Sequence, residues 1–236
     1  MFSFEAIGHI RSCFQQKFGI PRQPRLAPHA TAVLELCSPY NHPDSVRELT
    51  QFSHVWIVFV FHQTLEEGWG ALVRPPKLGG KTRVGVFASR ATHRPNPIGL
   101  SAVELLGVEH DADGTRLLLG GVDLLDGTPV LDIKPYLPYA DSLPEARGGY
   151  ALAVPPPLSC QWYPSALAGL AQLQAAHPQL QALVEEILQQ DPRPGYQSDH
   201  VRVYGIRLTM CDVQWRIDGD CIHVVDLQPL SAELET

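Results

Sequence analysis

The sequence has no run of about 18 apolar residues, so no helix is expected to span a membrane. Its start, Met1-Phe2-Ser3-Phe4-Glu5, lacks the basic n-region and the long apolar stretch of a secretory signal. Cysteine is scarce: Cys13, Cys37, Cys160, Cys211 and Cys221 are odd in number and form no C-x-x-C pair. Neither a disulfide framework nor a zinc knuckle is expected, and a reducing cytosol fits best. No strand–G-x-G-x-x-G–helix unit occurs, which excludes the usual doubly wound nucleotide site. Gly79-Gly80-Lys81-Thr82 looks like the end of a P-loop, but Pro75 stands where its first glycine belongs and the residues after Thr82 read as strand. No pair of histidines with a carboxylate has metal-ligand spacing, Ser101 lies on no nucleophile elbow and Cys13 has no evident base. Metal binding and covalent hydrolysis are therefore not expected.

Acidic residues are absent from 68–103, where Arg74, Lys77, Lys81, Arg83, Arg90 and Arg94 occur. They are absent again from 6–34, which carries Arg11, Lys17, Arg22 and Arg25. The net charge of −7 thus hides an N-terminal part with 11 Lys and Arg against 6 Asp and Glu in its first 100 residues. Charge does fluctuate along any chain. A repeated acid-free bias on Gly- and Pro-rich loops instead fits a polyanion or a phosphate-bearing ligand.

What is present reads as a mainly β N-terminal domain, residues 1–150, and a small α+β C-terminal domain, residues 155–236. Residues 2–8 and 32–37 alternate as strands do. Residues 55–61 form a continuous apolar, β-branched and aromatic run suited to a strand buried on both faces. Further strands are expected at 84–88, 102–108 and 116–119, with a hairpin turn at 111–114 and one short helical connector at 45–50. Strands separated by Gly and Pro loops, with no βαβ rhythm, predict an antiparallel, barrel-like, non-Rossmann fold. Val154-Pro155-Pro156-Pro157-Leu158 reads as a stiff linker. Beyond it, 165–190 is helical and divided by Pro178, and strands at 201–209, 213–217 and 222–227 close the chain.

Three constellations carry chemistry. In Arg94-Pro95-Asn96-Pro97-Ile98-Gly99 the two prolines restrict the backbone around Asn96. It is either a rigid turn facing water or a preorganised amide, able to donate and accept along an adenine edge. In the segment from Asp123 to Tyr136, Asp132 and Lys134 share one strand face. They form a structural ion pair, or Asp132 accepts a proton while Tyr136 stacks on a base. His62-Gln63 ends the apolar strand and Pro21-Arg22-Gln23-Pro24 is a proline-framed polar loop; both are candidate pocket linings.

These stretches, with Phe52-Ser53-His54-Val55-Trp56, Arg74-Pro75-Pro76, Gly85-Val86-Phe87-Ala88-Ser89-Arg90 and Asp126-Gly127-Thr128-Pro129-Val130-Leu131-Asp132-Ile133-Lys134-Pro135-Tyr136, resemble the TrmO (YaeB, TsaA-like) family of tRNA adenine-N6 methyltransferases. The likeness covers about residues 4–145, and Asp191-Pro192-Arg193-Pro194-Gly195-Tyr196 is similar to the C-terminal region of its proteobacterial members. The resemblance implies a β-barrel that binds S-adenosylmethionine outside the Rossmann framework, a homodimer, and methylation of N6-threonylcarbamoyladenosine at position 37 of tRNA in the cytoplasm. It implies cofactor contacts at Gln23, Pro24, Arg25, His62, Gln63, Arg90, Leu100, Asp123, Leu124, Asp126 and Gly127. Asp132 or Asp126 is the candidate proton acceptor and Asn96 the residue that fixes the adenine edge, unless both acids only hold cofactor or loop. Arg22, Arg74, Lys77, Lys81 and Arg94 are expected on anticodon-stem phosphates, with Lys134 and Tyr136 also facing RNA. The competing class is a non-enzymatic RNA-binding or cofactor-sensing module on the same barrel.

Overall fold

A computed structural model describes residues 2–78, 82–112, 114–151, 156–193 and 202–230. In chain order its first elements are β1 (Gly8–Ser12), β2 (Thr31–Leu36), β3 (His54–Val60), β4 (Leu72–Val73), β5 (Val84–Gly85), β6 (Ile98–Asp111), β7 (Gly114–Gly120) and β8 (Pro129–Pro135). Six of them close into an antiparallel barrel in the order β1-β2-β7-β6-β3-β8, while β4 and β5 form a separate ribbon. The alternation that predicts the strands also fills the barrel. Ile10, Leu34, Val55, Ile57, Val103, Leu117, Leu119 and Val130 point inward and are fully buried. Burying each such side chain contributes about 1.5–3 kcal/mol.

The barrel closes along a narrow seam. Only Gly8 and His9 of β1 pair in register with β8. The seam is then extended by the residues that lead into β8: Ile10 N donates to Thr128 O (3.0 Å), Gly127 N to Ile10 O (2.8 Å) and Asp126 N to Phe14 O (3.0 Å). Ser12 adds two bonds, its N donating to Asp126 Oδ1 (2.9 Å) and its hydroxyl to Leu124 O (2.7 Å). Residues 124–128 are thereby stitched to residues 10–14, by backbone and side-chain bonds together.

The first and third strands differ from expectation. Residues 2–6 alternate but form no strand, because Phe2 and Phe4 meet no core and are 93% and 70% exposed. The strand starts at Gly8. Residues 84–88 split into two-residue β5 and a 3-10 turn, Val86–Ala88. β3 buries one face only: Val55, Ile57 and Phe59 lie inside, and the other face is half-buried. The connector at 45–50 is two 3-10 turns, Pro43–Val46 and Leu49–Gln51. Residues 79–81 and 113, with the P-loop-like stretch and the tip of the expected hairpin, lie outside the described residues.

After β8 come the one-turn helix α1 (Pro138–Asp141), β9 (Ser159–Trp162), α2 (Pro164–Leu173), α3 (Leu180–Leu188), β10 (Tyr204–Leu208), β11 (Cys211–Asp218) and β12 (Cys221–Pro229). The second sheet runs β10-β11-β12-β9. β9 is an unpredicted strand that pairs parallel to β12. α2 approaches β12 so closely that a Cβ on Gly169 would lie 1.8 Å from Leu227 O. The two sheets share one continuous core and meet directly, through a bridge between Phe14 and Leu208 and a bond from Thr209 N to Cys13 O (3.0 Å). The N-terminal part of the expected linker, 152–155, is outside the described residues.

One close approach sets how an aromatic ring packs in the barrel. Gly99 lies opposite Phe59, and a Cβ there would sit 2.2 Å from the ring. The absent side chain is what lets the Phe59 ring lie across the strand. Gly99→Ala is therefore expected to destabilise the protein by about 1–3 kcal/mol in urea unfolding. Adding Phe59→Leu should recover part of the loss; full stability in Gly99→Ala alone would contradict the packing.

Candidate active site

Phe59 opens onto a cavity of about 470 Å³. This lies within the range of small-molecule sites. Its walls come from the loop at 20–23, the ends of β3 and β6, the turn at 61–64 and the loop at 89–94. Ile20, Phe59, Phe61, Leu100 and Leu125 make it largely apolar. Phe61 packs edge-on against Phe59 at 5.1 Å. Trp56 also lines it and is held by a bond from its indole N–H to Asp141 Oδ2 (2.9 Å). Asp141 also accepts from Leu137 N (2.8 Å), and these two bonds keep its carboxyl below the usual range.

The polar groups in this cavity are few and placed by the fold. The seam carries Asp123 into the wall, where its Oδ1 accepts a bond from the Ser101 hydroxyl (2.7 Å). Burial pushes the Asp123 carboxyl up to about 6, against the lowering effects of Ser101, its own backbone bond and the charge of Arg90. Arg90 in turn donates to the Gln23 side chain. His62 is held below its ordinary pKa, mainly by burial, so its ring is neutral at neutral pH. Lys17 lies at the same opening, 3.4 Å from Gln63 O. A carboxylate near neutral pKa in apolar surroundings can attract a cation or accept a proton.

Of the residues expected to meet the cofactor, Gln23, His62, Gln63, Arg90, Leu100 and Asp123 line this cavity. Pro24, Arg25, Leu124, Asp126 and Gly127 do not. Arg25 has φ +66° and donates its N–H to Gly121 O (2.7 Å), Leu124 is core, and Asp126 is spent on Ser12 in the seam. Asp132 does not line the cavity either: it is on the outer face of β8, paired with Lys134 at 2.6 Å. Tyr136 stacks at a tilt on Trp56 at 5.7 Å. Asn96 is exposed on the loop whose neighbours Arg94 and Ile98 reach the cavity.

Among the basic residues, Arg22 and Arg94 line the cavity and Arg74 is exposed. Lys77 and Lys81 fall outside the described side chains. Trp56, Phe59 and Ser101 are cavity residues that sequence patterns do not mark, because each reads as ordinary strand. The hydroxyl of Ser101 between the apolar residues 98–100 and 102–103 is the one available sign. Burial raises Cys13 and Cys211 to about 12, so neither is a nucleophile at neutral pH.

The tRNA-methyltransferase O N-terminal domain family matches residues 9–142, and the TrmO C-terminal domain family matches 155–230. The chain belongs to the TrmO family. It is 48% identical to a tRNA (adenine(37)-N6)-methyltransferase of Escherichia coli K12, over 97% of this chain and 98% of that protein. It is 50% identical to a putative S-adenosylmethionine-dependent methyltransferase of Pseudomonas aeruginosa, over 95% and 97%. A crystal structure of TrmO from Pseudomonas aeruginosa superposes with a TM-score of 0.80 at 46% identity, covering 96% of this chain and 98% of that one. A mouse tRNA (adenine(37)-N6)-methyltransferase matches only 58% of this TrmO-family chain, at 48% identity.

The raised carboxyl makes a stability prediction. Because its folded-state pKa of about 6 exceeds the unfolded value, Asp123 favours the fold only while protonated. Its contribution is present below about pH 4 and lost as pH rises through about 6. Asp123→Asn should therefore be more stable than the parent at pH 8, by up to about 3 kcal/mol, with the gain vanishing near pH 4. Denaturant midpoints across pH check this. Equal stability at pH 8 would place the carboxylate in water.

Proposed function

We propose that this chain is an S-adenosylmethionine-dependent tRNA methyltransferase acting on N6 of adenine 37, and that its substrate base already carries the threonylcarbamoyl group. The observation that carries the reading is the cavity: apolar, of ligand size, with Asp123 as its partly buried carboxylate. That donor set fits the cofactor, whose sulfonium and ammonium groups need a carboxylate and whose apolar body needs the Phe59, Phe61 and Leu100 wall. The relatives named above support the same activity. Gln23, His62, Gln63, Arg90, Leu100 and Asp123 would hold S-adenosylmethionine. Bound there, the cofactor supplies a methyl group already activated on sulfur.

The remaining work falls to the protein: positioning, exclusion of water, and removal of the N6 proton. In the modified base that nitrogen belongs to a urea, and its lone pair is delocalised. A base that takes the proton as the N–C bond forms lowers the barrier. We assign this to a carboxylate oxygen of Asp123 rather than to Asp132 or Asp126, whose carboxylates serve an ion pair and the seam. Asn96, exposed on the rim, would fix the adenine edge. Arg22, Arg74, Arg94 and Lys134, with Lys77 and Lys81 of the same basic stretch, would meet phosphates. The family resemblance implies a homodimer, and a tRNA substrate accords with the cytoplasm.

Transfer of labelled methyl from S-adenosylmethionine to tRNA, with and without threonylcarbamoyladenosine, tests the reading. Label is expected only in the modified tRNA; cofactor binding with no label in either would favour the sensing module. In the active enzyme the rate should fall as Asp123 is protonated, with a midpoint below about 6, because the positive charge of the bound cofactor favours the carboxylate. Asp123→Asn should lose roughly 100-fold or more in rate, and with it that acid limb. About six phosphate contacts should weaken tRNA binding roughly 1,000-fold between about 50 and 200 mM salt. Salt-independent binding would remove the basic loops from the interface.

A further inference from the structure

Beside the cavity an aromatic ring is held out in water. Phe87 sits in the middle of the 3-10 turn Val86–Ala88 and is 77% exposed. An exposed apolar side chain is common on protein surfaces. The rigidity of its support is not. Val86 is buried beneath it and takes its backbone bond from the ribbon, Val86 N donating to Ala71 O (3.0 Å). The Ser89 hydroxyl donates to Val86 O (2.9 Å), and the Tyr150 hydroxyl donates to Ala88 O (2.9 Å). Arg94 donates to Ser89 O (2.8 Å) and Val86 O (3.2 Å), while its guanidinium lies over the Phe87 ring at 5.8 Å. Every one of these bonds fixes the turn, and with the Arg94 guanidinium over it the ring still stays 77% exposed.

The setting is specific. Ser89, Arg90 and Arg94, which follow the ring in sequence, line the cavity, so the turn stands at its mouth. The whole stretch from 68 to 103 has no acidic residue, and Arg83 and Arg90 are exposed on it. A rigid ring with a guanidinium over it, on a stretch with no acidic residue of its own and with the neighbouring Glu67 carboxylate taken up by His93 (2.7 Å) and Lys17 (3.7 Å), matches what an unpaired nucleotide requires. Its base stacks on the ring, and its phosphate meets the arginines.

We propose that Phe87 is the stacking platform for the unpaired base next to the target adenine in the anticodon loop. The inference rests on the tRNA substrate proposed above and adds to it how the loop is held open. Stacking tolerates any base, so the platform would fix the position of the strand while the cavity reads the adenine. With Arg94 serving the turn and the ring at once, the platform and the cavity wall are parts of one rigid unit.

Steady-state kinetics of the full chain with modified tRNA test this. Phe87→Ala should raise KM for tRNA about tenfold or more, with Kd for S-adenosylmethionine unchanged. Phe87→Trp should restore KM, and Phe87→Leu, equally apolar but without a π face, should not. An anticodon stem-loop carrying 2-aminopurine next to the target should be quenched by the parent and by Phe87→Trp, and not by Phe87→Ala. A parental KM and parental quenching in Phe87→Ala would overturn the proposal. So would sedimentation showing that Phe87→Ala only breaks a dimer, since the ring would then face a second copy of the chain. If the parent itself transfers no methyl to tRNA, it is the functional reading that fails, whatever Phe87 does.

Discussion

The site depends on the seam where β1 closes the barrel. Direct β1–β8 pairing is only two residues long, and on its own it would leave the barrel poorly closed. The backbone bonds of residues 126–128 to Ile10 and Phe14, with Ser12 bonded to Asp126 and Leu124, complete the closure. The same bonds fix the short segment that carries Asp123, so the carboxylate cannot retreat to water. Its raised pKa follows from that placement. Asp126 closes the seam, and Asp123, three residues earlier, lines the cavity.

The 20–30 loop at the cavity is also tied to α3 and the residues that follow it. Arg22, beside Gln23, donates to Asp191 O (3.2 Å) after α3, and Gln190 donates to Leu26 O (2.6 Å). His29 binds Glu186 on α3 through both its N–H and its ring, at 3.0 and 2.6 Å. The helix α3 and the residues that follow it therefore brace the 20–30 loop from behind and, among the described residues, lend no side chain to this cavity.

Much of the barrel was legible because inward residues alternate with outward ones, as in β2 and β7. The pattern failed where alternation had no partner, at Phe2 and Phe4, and where a strand has no apolar run, at Ser159–Trp162. The reading of β3 as buried on both faces was too strong, because its outer face is only half-covered. The candidate site was legible mainly through family resemblance, since Gln23, His62 and Arg90 are far apart in sequence and carry no periodic signal. Asp132 illustrates the limit of local pattern: two residues from Lys134, it reads equally as base or ion pair, and only the folded geometry shows the 2.6 Å pair. Ser101 and Trp56 escaped because a strand residue declares its neighbours only after pairing.

Hydrogen–deuterium exchange of the full chain, with and without S-adenosylmethionine, bears most directly on the central claim that this cavity is the cofactor site. Protection is expected in residues 20–25, 59–64, 89–101 and 121–126, the segments that wall the cavity or carry its polar groups. Exchange unchanged there at saturating cofactor, or protection confined to the C-terminal sheet at 204–229, would contradict it.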